Sequence, residues 1–193
     1  MDRGFKSPLR LLDEAVAMSR KIREQNDELI IMGYGYYQLF DEKGKQKQAG
    51  VFANRITTVG DEQFSRRATG VSPGNLITGM RLGTGVTAAS KSGAGAAIVT
   101  YKTGTALATD GTFPTNAAIG SDVGWRATYR RTWGAGIGTD AALGEVVLTN
   151  ETRPTDVAGT AANTLCRALL SPTVNKAAGD TLEVTWTIDF FGP

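Results

Sequence analysis

The stretch Gly83-Thr84-Gly85-Val86-Thr87-Ala88-Ala89-Ser90-Lys91-Ser92 comes closest in this chain to a loop that could hold phosphate. Phosphate-binding loops use glycines so that backbone N–H groups can wrap the anion, and they carry glycine immediately before Lys-Ser/Thr. Ser90 stands in that place here, and Gly93-Ala94-Gly95 follows where an apolar helix should begin. The stretch therefore reads as a surface loop. Gly134-Ala135-Gly136-Ile137-Gly138 has the same weakness, because no helix start follows it to offer a positive end.

Other chemistry is narrowed by composition. Histidine is absent and Cys166 is the single cysteine, so a His-based triad, a usual zinc site and an internal disulfide all lack their residues. No catalytic residue, metal ligand or cofactor is expected. Glycosidase-type carboxylate pairs need no histidine, and Glu145, Glu151, Asp156 and Glu183 are available, but no local pattern singles out two of them. Cys166 lies between Leu165 and Leu169 and reads as a packed thiol in a strand. Arg126, Arg130 and Arg131 offer positive charge either to an acidic partner surface or to solvent.

Net charge is only +2 and the basic residues are spread along the chain, which argues against a specific grip on nucleic acid. No apolar run reaches the ~20 residues of a membrane span, so no membrane partner is expected. The N-terminus lacks the apolar core of a secretory signal, and a lone cysteine suits synthesis in a reducing cytoplasm.

The elements that would position these residues are mainly strands. Leu182, Val184, Trp186, Ile188 and Phe190 alternate with Glu183, Thr185, Thr187 and Asp189, the period of a half-buried strand with a solvated polar face. Trp125, Ala127, Tyr129 and Trp133 share a face broken by Arg131. Leu29–Phe40 and Gln46–Arg55 read as a hairpin around Asp41–Lys45, with Gly33 and Gly35 marking a bulge or a close backbone approach. Asp61–Ala68 reads as a short helix with acids at its positive end, closed by Ser72-Pro73-Gly74-Asn75. Further strands are expected at Leu76–Leu82, Ala97–Lys102, Val123–Trp133, Gly144–Thr149, Thr164–Leu170 and Thr181–Phe190. Thr103–Asp122 and Asn150–Asn163 read as long linkers that cross the surface or reach a neighbour.

Before all of these, Ser7-Pro8 opens a helix whose apolar stripe includes Leu12, Val16 and Ile22. It packs either on its own domain or on a neighbouring subunit. The expected organisation is a helical arm at residues 1–28 and a β-sandwich domain at 29–193. In that domain, 29–75 form the hairpin and short helix, and 76–193 the main strands. The fold class is mainly β: an antiparallel sandwich of jelly-roll type with one short additional helix.

Three stretches together resemble structural proteins of tailed bacteriophage virions. They are Asn54–Gly60 leading to Ile77-Thr78-Gly79-Met80-Arg81-Leu82-Gly83-Thr84-Gly85, then Gly144-Glu145-Val146-Val147-Leu148-Thr149-Asn150, then Lys176 with Asp180–Phe190. Such proteins typically pair an "lGtG" segment with an "EvGL" segment and a terminal "Ltv-W-I-F" strand; here Val147 stands where that pattern often has glycine. The resemblance covers roughly Asn54 to Phe190. It implies a non-enzymatic virion building block, assembled in the host bacterial cytoplasm, most naturally one that decorates or cements the capsid surface. A tail, collar or fibre-attachment protein is the alternative. Partners would be further copies of the chain and other virion proteins, such as the major capsid protein or tail and connector proteins. Candidate assembly residues are Leu12, Val16, Ile22, Arg126, Arg130 and Arg131. A carbohydrate-binding sandwich is a third reading, and it needs Trp125, Tyr129 and Trp133 exposed.

An isolated helix of this length is marginal in water and must pack on something. Because the β-domain has its own apolar faces to close it, deleting residues 1–26 should leave a folded, soluble domain that joins particles poorly. Circular dichroism and co-sedimentation with particles check this; a truncated chain that cannot fold would put the helix in the subunit core.

Overall fold

The computed structural model describes residue 10 and residues 30–120, 124–150 and 160–191. Apart from Arg10, the expected arm, including Leu12, Val16 and Ile22, lies outside the described residues. Among the described residues there are nine strands: β1 Ile30–Phe40, β2 Gln46–Ile56, β3 Gly79–Gly83, β4 Leu107–Ala108, β5 Thr115–Ala118, β6 Trp125–Trp133, β7 Asp140–Thr149, β8 Thr164–Lys176 and β9 Thr181–Phe191. The helix α1 spans Thr58–Thr69, and short 3-10 turns lie at Gly93–Ala96 and Ala161–Asn163. The strands form one sheet in the order β4-β3-β7-β8-β2-β1-β9-β6-β5, and every pairing is antiparallel. The mainly antiparallel β class read from the sequence is present, as a single curled sheet.

The curl turns on β2. Its residues 46–53 pair with β1, while Asn54, Arg55 and Ile56 pair with β8, so one long strand belongs to both halves. The opposite side is drawn together at Asp110, just beyond β4. Its N–H donates to Arg130 O at 2.8 Å, and its carboxylate accepts from Arg130, Arg131 and Thr132 of β6. Arg131 also donates to Ala108 O at 3.1 Å, and the Trp133 indole N–H to Thr105 O at 2.9 Å. The segment after β3 is thereby tied to β6, which brings the two ends of the sheet together.

The core fills the inside of the curl. Leu182, Val184, Trp186 and Ile188 of β9 face Tyr37, Leu39 and Phe52 nearby, and Met80, Leu82, Val146, Leu148 and Ala168 from the other half. The Trp186 ring meets Phe52 edge-on at 5.1 Å. Its indole N–H reaches the Asn54 amide oxygen at 2.7 Å in the amide orientation that also lets Asn54 donate to Gly33 O. Gly33 and Gly35 serve close approach: side chains there would strike Asn54 and Phe52. The register shift in this hairpin lies elsewhere, between Leu39 and Phe40.

Several expectations need correction. The helix starts earlier than Asp61, because the Thr57 hydroxyl caps it by accepting from Gly60 N–H at 3.0 Å, and it ends on Gly70 at φ 71°. Ala97–Lys102 is no strand beyond the single bridge Gly83–Tyr101, since Val99 and Thr100 spend their N–H groups on the Glu145 side chain. The Thr103–Asp122 linker contains β4 and β5. The polar face of β9 is not solvated: Thr185, Thr187 and Asp189 are buried, because Tyr34 of β1 and Arg126 of β6 close over Asp189.

Trp186 is fully buried and ringed by the core, so Trp186→Ala should cost about 3–5 kcal/mol through lost transfer energy and a residual cavity. Glu183, half-buried on the other face, should tolerate lysine with a far smaller change. Urea unfolding of the two variants measures the contrast, and equal effects would contradict this strand's role in the core.

Candidate functional site

The glycine-rich stretch that opened the sequence question has a definite use. β3 lies beside β7 with Gly83 in register with Glu145. The Glu145 carboxylate accepts from the N–H groups of Gly85 at 3.0 Å, Val99 at 3.0 Å and Thr100 at 2.8 Å. Arg167 of β8 completes it, with Nε donating to Oε2 at 2.9 Å and Nη2 at 2.8 Å from the same oxygen. Both side chains are 0% exposed. Arg167 Nη1 also donates to Gly95 O at 3.3 Å, which fastens the 3-10 turn to the sheet. Any Cβ on Gly83 or Gly85 would collide with the Glu145 carboxylate. These glycines therefore admit a buried carboxylate, which takes the Gly85 N–H of this stretch together with those of Val99 and Thr100 beyond it.

Lys91 is similarly engaged. It forms an ion pair with Asp61 in the first turn of α1, and its carbonyl accepts from Thr58 N–H at 2.9 Å. Part of the expected surface loop is thus interior: Gly83, Gly85, Gly95 and Ala96 are buried, while Val86, Thr87 and Ala88 are exposed.

The candidate arginines occupy two further clusters. Arg126 makes a two-pronged contact with Asp189, both bonds at 2.8 Å, and the Tyr34 hydroxyl donates to the same carboxylate at 2.9 Å. Burial pushes the Tyr34 phenol well above its ordinary value, with Asp189 adding to the rise. The hydrogen bond to Asp189 raises Arg126 further. Arg130 and Arg131 share Asp110, at 3.1 and 3.3 Å, and Arg130 also lies 4.8 Å over the Phe113 ring. The structure thus gives each of the three arginines an aspartate within its own subunit.

At the end of β9 opposite Asp189, Asp180 accepts from Lys47 at 2.6 Å and from Ala177 N–H at 2.8 Å. Burial pushes its carboxyl up, but these two bonds outweigh it and hold the group below the usual carboxylate range. Lys176 donates to Gly134 O at 2.9 Å and Asp180 O at 2.7 Å, and burial lowers its ammonium. Open clefts lie beside this cluster, lined in part by Asp41, Glu42, Ala177 and Gly179. Among the described residues, no group of three or more Cys, Asp or Glu side chains is placed to hold a metal. Glu183 sits on the cleft wall, apart from Glu145, and Glu151 and Asp156 lie outside the described residues. Cys166 is fully buried, and burial pushes its thiol up, away from the reactive thiolate.

Of the three aromatics on β6, Tyr129 and Trp133 are in the core and Trp125 is 56% exposed. Alternation predicted a shared face, but not that this face runs past the rim of the core at Trp125. Sequence reading also missed Glu145 with Arg167 as a pair; they are 22 residues apart, and the only signal was the pair of glycines at 83 and 85. Comparison of the chain with family models, curated proteins and solved structures finds no match.

Two outcomes follow. Glu145→Gln should destabilise the fold by about 3–5 kcal/mol, since it strands a buried guanidinium. The Val99 and Thr100 amides should lose hydrogen-exchange protection with it. Replacing Glu145 and Arg167 together by apolar residues should recover only part, because three N–H groups then lack their acceptor. For Asp180, the folded carboxyl ionises more readily than the unfolded one, so the folded chain binds fewer protons in acid. Its stabilisation is complete above about pH 5 and falls as pH drops below the ordinary carboxylate value of about 3.9. Melting temperatures between pH 6 and pH 3 should accordingly decline less steeply in Asp180→Asn than in the parent.

Proposed function

We propose that this chain is a non-enzymatic structural protein of a tailed bacteriophage virion, one that decorates the capsid surface. The observation that carries the reading is the union of the Gly83-Thr84-Gly85 and Gly144–Asn150 segments. These are two of the stretches on which the resemblance rests. They lie on adjacent strands, and Glu145 of the second is consumed at zero exposure in a clasp with Arg167 of β8 that also takes the Gly85 N–H of the first. Residues that serve architecture in this way suit a building block. The third stretch, β9, lies at the centre of one half of the sheet, between β1 and β6. The sandwich architecture of the resembled proteins belongs to the same proposal.

Other features favour a structural subunit. Ion pairs at Asp110, Asp189 and Asp180 tie strands distant in sequence to one another, and nearly balanced charge suits a particle exterior better than contact with packaged DNA. Binding of carbohydrate on a three-aromatic face is disfavoured, because Tyr129 and Trp133 are in the core.

The test is a cryo-EM map of virions that encode this chain, with its copy number measured by quantitative mass spectrometry. Density for the curled sheet on the head exterior, at the copy number of a capsid lattice, is the expected result. A ring of copies at the tail or collar would reassign its position, and absence from the particle would overturn the reading.

A further inference from the structure

β5 is the last strand of the sheet, and its outer edge carries no strand among the described residues. All four of its residues, Thr115, Asn116, Ala117 and Ala118, are exposed. The direction of its backbone groups can be assigned. Ile119 N–H donates inward to Gly124 O at 2.9 Å, so by antiparallel alternation residues 115 and 117 also turn toward β6. Asn116 and Ala118 then point their N–H and C=O groups outward. Sheet edges are normally blunted by shortness, charge, proline, a bulge or a covering element. β5 is short and Pro114 precedes it, but it is uncharged, its register with β6 is unbroken, and two of its residues keep outward-pointing backbone groups.

We propose that this edge pairs antiparallel with the same edge of a second copy of the chain, centred on Ala117. Symmetry and the pleat select that register. Directly opposed residues in an antiparallel pair share a face, so a two-fold pairing must centre on a residue and not between two. Centred on Ala117, Asn116 of each copy faces Ala118 of the other, and both outward-pointing residues exchange their backbone bonds. The two Ala117 residues form the close, non-hydrogen-bonded pair, with Cα atoms about 4.5 Å apart, where small side chains fit best. Centring on Asn116 would oppose Ala118 to Pro114, which has no N–H to give.

Charge and apolar surface agree with self-pairing. No charged residue lies on the strand; of the neighbouring arginines, Arg126 is paired with Asp189, and Arg130 shares Asp110 with Arg131. Trp125 stands opposite Ala118 in register, on the same face as Asn116 and Ala118, and is more than half exposed. In the joined sheet it borders the new contact and is covered by it. A four-residue edge buries little, so the contact is weak in solution and gains strength where a particle holds many copies side by side. The inference concerns the chain itself and does not rest on the virion reading.

Sedimentation equilibrium of the full chain, taken into the millimolar range, should show a monomer–dimer equilibrium. Tryptophan emission should shift to the blue as dimer forms, since Trp133 and Trp186 are already buried and only Trp125 can change. Ala117→Lys, an exposed position, should keep the parent circular dichroism and melting temperature while weakening association at least tenfold. Register is tested by Ala117→Cys under oxidised glutathione. A reducible disulfide dimer should form much faster than with Thr115→Cys, and buried Cys166 should stay unreactive. A chain that stays monomeric throughout, association unmoved by Ala117→Lys, or equal cross-linking at positions 115 and 117 would overturn the proposal. Monomer alone would leave the virion assignment standing.

Discussion

A glutamate and an arginine at zero exposure set the terms for one half of this molecule. Removing both charges from water is costly, and the pair is tolerable only if the remaining hydrogen-bonding capacity is met. Glu145 has two oxygens to satisfy, and Arg167 takes part of one. The rest falls to the N–H groups of Gly85, Val99 and Thr100, which lie on both sides of a loop that must therefore fold back over the sheet. That requirement explains the glycines at 83 and 85, the lack of a ladder at 97–102, and the burial of Gly95 and Ala96 beneath an otherwise exposed loop.

The other half uses the same device differently. Asp189 holds side chains from two strands and Asp110 holds three neighbours on β6, and each is more buried than the arginines that reach it. Asp189 locks Tyr34 of β1 and Arg126 of β6 across the outer face of β9. Asp110 draws the segment after β4 onto β6. A curled sheet has two ends that must meet something, and here one carboxylate with four donors joins them. The strand left beyond that seam is β5, which is why an edge without a neighbouring strand among the described residues lies there. Closure consumes the edge of β4, and β5 adds a new one outside it.

Burial of polar groups on both faces also separates this sheet from a simple sandwich half. β9 buries its apolar residues inward and its threonines and aspartate outward, so alternation in sequence reflects chemistry on two covered faces, not water on one. Its place between β1 and β6 demands that: both neighbours contribute long side chains that lie across it.

The sequence by itself determined the strands whose pattern is set by local chemistry. Strict alternation in 182–190 placed Trp186 and Ile188 inward, the Asp41–Lys45 turn placed Gly44 at φ 77°, and the face shared by Tyr129 and Trp133 went to the core. Each depends on residues within one or two turns of chain, where the period of the side chains is enough. Only the tertiary structure decided which polar residues were interior. Nothing near Glu145 indicates that Arg167 will reach it, and nothing near Asp189 indicates Arg126, 63 residues away. It also decided that 97–102 would not be a strand, that 107–108 and 115–118 would be, and where the sheet ends. The physical reason is that a backbone group or a charge takes whichever partner the fold brings within 3 Å. That competition is settled between distant segments, where a local pattern carries no information.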